Sequence, residues 1–162
     1  DAQAELLLEQ LNIWKIPLLK IDENATINNK RKIKRLVTVA NKSDTQNAAS
    51  GLKALMSTYG NVYHIASISS NTKEGIEDLR RLIFEVSGII RAYSKEPGKD
   101  PDMKAPFTIP AGSTVIELAQ IIHKDFATNL KYACVWGSSK FQGQKVHKDH
   151  ILKDKDIVEF HV

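Results

Sequence analysis

Apolar residues recur at three- and four-residue spacing at Ala4, Leu7, Leu8 and Leu11, which predicts a helix over 2–13. Pro17 blocks its continuation, and 16–21 reads as extended. A polar, turn-rich stretch over 22–31 reads as a surface loop. The β-branched run 35–40 predicts a strand, 47–59 a helix ended by Gly60, and 61–66 a second strand. Ile76, Leu79, Leu82, Ile83 and Val86 share one face of a helix within 72–87, closed by Gly88. Strands alternating with helices in this way predict a parallel sheet with helices packed on it.

The pattern changes after Gly88. Strands are expected at 89–94, 107–110, 132–136, Val146 and 157–162, with a Pro- and Gly-rich loop over 95–106. A single helix is expected over 115–125, with Ser113 or Thr114 as its N-cap and Glu117 in the first turn. Five short strands and one helix in this span suit a small sheet grasping a helix. The boundary falls near residue 89, giving units 1–88 and 89–162.

Composition narrows the class. The chain has 162 residues, 42% of them hydrophobic and 26% charged, which is enough apolar material to fill a core. No apolar run approaches the roughly 20 residues that cross a bilayer, so no membrane partner is expected. A single cysteine and no Cys/His set at zinc spacing predict a reducing, cytoplasmic setting and no metal site. Net charge is +4, a mild basic bias compatible with nucleic acid. Each unit carries an equal share of it. The chain opens without a Met or a signal-like segment, which suggests a piece of something longer.

The strand over 35–40 runs into Asn41-Lys42-Ser43-Asp44. Ligands of α/β sheets sit at the carboxyl ends of strands. A carboxylate there accepts two parallel hydrogen bonds, and guanine offers N1–H and its N2 amino group side by side. Adenine presents an acceptor at N1 and would be repelled, which is discrimination through unpaired buried polar groups. An Asn amide ties loops together, and a Lys stem lies across a ring face. Capping of the following helix by Asp44 or Asn47 accounts for the same residues equally well.

The next strand is followed by Ser69-Ser70-Asn71, with Gly75, Ile76 and Leu79 downstream. At this point the chain resembles the translation-factor-type GTPases, whose guanine motifs are N-K-x-D after one strand and S-A-x after the next. Ser70 stands where Ala is usual, a small-for-small change that spares the backbone N–H contact to the base. The resemblance implies guanine contacts from Asn41, Lys42, Asp44, Ser69, Ser70 and Asn71, with GTP or GDP as ligand. The chain contains no G-x-x-x-x-G-K-[ST] loop and no D-x-x-G segment before residue 41. Phosphoryl transfer depends on those parts, so Mg²⁺ and hydrolysis are expected only of an intact parent and nucleotide binding here is expected to be weak or absent.

Residues 91–162 are similar to a TGS domain. The segments that carry this are Pro97–Asp102, Pro106–Val115, Ile122–Phe126, Leu130–Gly137, Gly143–Val146 and Asp149–Val158. The version looks most like that of the Obg-related developmentally regulated GTP-binding proteins. Cys134, His147 and Phe160 depart from it, and His147 questions whether the turn there is tight. The resemblance implies a C-terminal part of a P-loop-type G domain followed by a ubiquitin-like β-grasp module. It implies docking on RNA, a ribosome or a regulatory protein. A stand-alone adaptor with a vestigial, nucleotide-free first half is the alternative.

Other residues invite sharper readings. His123, His147, His150 and His161 show no zinc spacing and read as scattered surface histidines. Cys134 reads as buried filler. Tyr132 and Trp136 share one strand face and read as core packing rather than base-stacking platforms. Lys124, Lys131 and Lys145 are candidate RNA or partner contacts, as are Lys32 and Lys34 in the basic run 30–35. A strand near 35–40 with an open edge predicts self-association.

Overall fold

The computed structural model describes residues 2–21 and 34–162. The expected loop at 22–31, Lys32 and most of the basic run lie outside the described residues. The chain forms two compact units, 1–87 and 88–162.

In the first unit, α1 (Ala2–Ile13) precedes β1 (Leu18–Leu19), which pairs in parallel with β2 (Lys34–Arg35). A separate parallel pair joins β3 (Val37–Ala40) to β4 (His64–Ser67), in the register Val37 to His64 and Ala40 to Ser67. The expected strand at 35–40 is thus split, its first residue, Arg35, serving a different pair. Helix α2 (Ala48–Tyr59) links β3 to β4, and α3 (Ile76–Ser87) follows. Helix α3 begins four residues later than expected. Residues 72–75 are instead held as a turn, because Ser69 N–H donates to Glu74 C=O at 3.0 Å and Thr72 N–H to Ser69 Oγ at 3.0 Å. Gly75 has φ +73° there, and a Cβ on it would lie 2.2 Å from Ser67 O, so only glycine fits. Gly88, at φ +67°, closes α3 in the left-handed cap conformation.

The second unit is a five-stranded mixed sheet in the order β6-β5-β9-β7-β8. These are β5 (Ile89–Lys95), β6 (Phe107–Pro110), β7 (Tyr132–Trp136), β8 (Gln144–Val146) and β9 (Asp156–His161). The first and last strands run parallel at the centre and the other pairs are antiparallel, which is the expected β-grasp arrangement. One face is covered by α4 (Val115–Ile122). Val115, Leu118 and Ala119 pack there with Ile90, Ala92, Ile109, Ala133, Val135 and Val158. The Glu117 carboxylate accepts from Thr114 N–H at 2.7 Å and fixes the helix start.

The helix expected over 115–125 breaks at His123, whose backbone is extended, and α5 (Lys124–Asn129) restarts beyond it. His123 caps α5, its ring nitrogen accepting from Asp125 N–H at 3.2 Å. The turn at His147 is tight, since His150 N–H donates to His147 C=O at 3.0 Å. A buried carboxylate locks the sheet's far end. Asp156 is fully buried and accepts from Ser138 N–H, Ser138 Oγ–H and Lys153 N–H at 2.7, 2.7 and 2.9 Å.

Candidate guanine-recognition site

The two loops singled out in the first unit meet. Parallel pairing of β3 with β4 sets their carboxyl ends side by side, so Asn41 and Ser69 leave the sheet at adjacent points. Ile68 N–H donates to Ala40 C=O at 2.9 Å and Ser43 N–H to Ile68 C=O at 3.0 Å, continuing the ladder into the loops. Asn41 Oδ1 accepts from its neighbour Lys42 N–H at 2.7 Å, from Ser70 N–H at 3.1 Å and from the Ser70 hydroxyl at 3.0 Å. Lys42 takes a left-handed backbone, φ +65°, to turn the chain beneath it.

Asp44 reaches the second loop independently. The fully buried Ser69 donates its hydroxyl to Asp44 Oδ1 at 2.6 Å. That bond, then Asp44's own backbone N–H, hold its carboxyl below the usual carboxylate range; burial opposes them slightly and Asn71 assists. Asp44 is therefore an exposed, ionised acceptor fixed at one oxygen. Capping does not explain these residues: Asn47, at the N-cap position of α2, makes no side-chain cap bond, and Asp44 bonds Ser69 of the second loop.

An open cavity of about 370 Å³ borders the first loop. It touches Asn41, Lys42 and Ser43 but none of Asp44, Ser69, Ser70 or Asn71, and runs along β3 between α1 and α2. It is therefore distinct from the junction of the two loops. The supporting residues that sequence reasoning passed over are Thr72 and Glu74, which hold Ser69; the glycine three residues after Thr72 was the signal for their turn.

The candidate RNA or partner contact residues are dispersed. Lys34 is exposed on β2 of the first unit. In the second, Lys124 opens α5 and Lys131 bonds Val162 C=O at 3.3 Å. Lys145 lies 3.7 Å from the centre of the Tyr132 ring. Tyr132, Cys134 and Trp136 are not core residues. Strand alternation places Ala133 and Val135 in the core and turns these three to the opposite face, half-buried. There Tyr132 stacks on His161 at 4.3 Å, and the Lys95 ammonium lies 4.4 Å from the centre of the Trp136 ring.

Comparison with known proteins agrees with the two-part fold. Residues 90–162 match the TGS domain family. The chain is related to developmentally regulated GTP-binding proteins and carries a TGS domain. It is 38% identical over 108 residues to an uncharacterized GTP-binding protein of Methanocaldococcus jannaschii, covering 66% of this chain and 27% of that protein. It is likewise 38% identical over 100 residues to developmentally-regulated GTP-binding protein 1 of Xenopus laevis, covering 60% and 27%. The chain thus spans about a quarter of the length of these relatives. Two solved structures share the fold. A GTP binding protein from Pyrococcus horikoshii OT3 gives TM-score 0.58 at 19% identity over 77% of this chain and 45% of that one. The Schizosaccharomyces pombe YchF GTPase gives 0.55 at 14%, over 79% and 43%. Among the described residues no helix is long and apolar enough to cross a membrane.

Proposed function

We propose that the first unit reads the guanine base of GTP or GDP and that the TGS unit docks it on RNA, in a cytoplasmic, ribosome-associated setting. Asp44 accepts from N1–H and the N2 amino group, Lys42 lies against the ring, and Asn41 ties the loops. Ser70, whose N–H here donates to Asn41 Oδ1, and Asn71 close over the base, and Ser69 orients Asp44. The observation that carries this is the pair of independent bridges, Asn41 to Ser70 and Asp44 to Ser69, which hold an ionised carboxylate at the junction of the two loops. Without phosphate-gripping motifs in the sequence, this chain alone holds nucleotide weakly and does not hydrolyse it. Mg²⁺ would enter only with those motifs.

Titration of the ¹⁵N-labelled chain with GMP and AMP tests the base reading. Guanine-selective shifts at Asn41, Asp44, Ser69 and Ser70, lost in Asp44→Ala, are expected on the order of millimolar. Equal responses to both nucleotides, or none, overturn it and favour a nucleotide-free adaptor. For docking, reversing Lys124 and Lys145 to Glu should flatten the salt dependence of RNA binding. An unchanged slope removes these lysines from the interface, and Lys32 with Lys34 are the next pair to reverse. Edge pairing at β3, which among the described residues bonds only β4, gives self-association; light scattering checks it.

A further inference from the structure

The outer face of the β-grasp sheet gathers three different metal-binding side chains. Antiparallel pairing of β7 with β9 sets Cys134 directly opposite Glu159, and Tyr132 opposite His161. His161 follows Glu159 by two residues and so shares its face. One donor atom from each of Cys134, Glu159 and His161 lies within 4.8 Å of the other two. Register alone brings side chains this near; the chemistry of the three atoms is what distinguishes this place.

Each donor is oriented from outside. The imidazole of His161 is held flat against Tyr132, with ring centres 4.3 Å apart and planes 13° from parallel. Its Nε2 meets Glu159 Oε1 at 2.8 Å, while Lys95 Nζ holds the other carboxylate oxygen at 3.1 Å. Glu159 is buried, and Cys134 and His161 are half-buried. The aromatic faces are taken: Tyr132 lies between His161 and Lys145, and Lys95 covers Trp136. A base-stacking role for this face is therefore disfavoured, and the cluster between the rings is what remains to explain.

We propose that Cys134 Sγ, Glu159 Oε1 and His161 Nε2 form a site for one borderline-soft divalent cation, Zn²⁺ suiting the sulfur, oxygen and nitrogen set best. Two ligands at about 2 Å from a tetrahedral ion sit roughly 3.3 Å apart, so the His161–Glu159 contact opens by only about half an ångström. The Cys134 thiol gives its proton to solvent on binding, and the thiolate and carboxylate balance the ion's charge. Lys95 keeps its bond to Oε2 as an outer partner. Water or a donor from another molecule completes the fourth position. With three ligands, affinity lies below that of four-ligand structural sites.

Titration of the reduced full chain with Co²⁺ tests this. One equivalent should produce a thiolate-to-cobalt charge-transfer band and the visible bands of tetrahedral Co²⁺, both displaced by Zn²⁺. The chain has one cysteine, so the charge-transfer band reports Cys134 alone. Cys134→Ser should abolish that band, and His161→Gln should weaken binding by at least about tenfold. No band at tens of micromolar Co²⁺, or one indifferent to His161→Gln and Glu159→Gln, overturns the site. If a variant fails to fold, the imidazole ¹⁵N signals of the unmodified chain decide. Zn²⁺ must move His161 and leave His123 and His147 unmoved; the reverse pattern also overturns it.

Discussion

The two units are organised by different forces. In the second, thirteen hydrophobic residues are buried, from Ile90 to Phe160, and a single cluster fills the space between sheet and α4. In the first, the buried hydrophobic residues among those described are Leu55, Ala66 and Ile68, while Leu6, Leu7, Ile13, Trp14, Val39, Met56 and Ile83 stand exposed. Neither α1 nor α3 contributes a buried residue. What fixes the first unit near its candidate site is a short parallel ladder and a knot of side-chain bonds around Asn41, Asp44 and Ser69. Apolar burial supplies most folding free energy, so the β-grasp unit should be the more stable of the two.

Core truncation should expose that difference most. Leu118 is fully buried between α4 and the sheet, and Leu118→Ala should cost the second unit about 3 kcal/mol. Leu55→Ala borders an open cavity and should cost less, because fewer packed neighbours are lost. Urea titrations followed by resolved NMR signals of each unit check both. Equal losses would erase the distinction. A polar exception lies within the apolar unit. Asp156→Ala leaves the Ser138 and Lys153 amides unpaired beneath Gly137 and should cost about 2–3 kcal/mol. A loss under 1 kcal/mol would mean that water replaces the carboxylate.

In the first unit the sharpest single change is Gly75→Ala. Its positive φ and the 2.2 Å approach of a Cβ to Ser67 O make alanine both strained and crowded. The expected cost is about 1–2 kcal/mol, with Ser69 displaced from Asp44. Hydrogen exchange of the Ser69 and Ser70 amides measures the displacement; unchanged protection would show that the turn absorbs the methyl group elsewhere.

The same contrast governs what could be read from the sequence. Strands 107–110 and 132–136 fall where their alternation places them, because a closed core enforces register. The face assignment within 132–136 failed at Tyr132, Cys134 and Trp136. Both sets of alternate residues are apolar enough to be core, and only the small Ala133 and Val135 fit beneath α4. The late start of α3 was hidden because Thr72 and Lys73 are compatible with helix; hydrogen bonding of Ser69 to Thr72 and Glu74 overrides propensity. The junction of Asn41 with Ser70 was legible from two strand-end motifs of fixed order. The meeting of Cys134, Glu159 and His161 was not, since it depends on the β7–β9 register across more than twenty residues.

The smallest expected effect probes a two-pronged ion pair near the surface of the β-grasp unit. Asp154 receives the Arg91 guanidinium at 2.6 and 3.1 Å and the Arg91 backbone N–H at 2.8 Å. The Arg91 side chain foremost, with burial opposing, holds the Asp154 carboxyl below its usual range. A carboxyl depressed on folding stabilises above its unfolded pKa, near 4, and that contribution fades as pH falls through the folded value. Both side chains are about one-third exposed, 36% and 31%, so solvent screening limits the pair to roughly 0.5–1 kcal/mol. The stability gap between the unmodified chain and Asp154→Asn should therefore be present at neutral pH and shrink in acid below about pH 4. Urea midpoints of the second unit at both pH values measure it. A gap that survives acidification would assign the effect to the amide's own geometry, leaving apolar burial and Asp156 to hold this unit without help from surface charge.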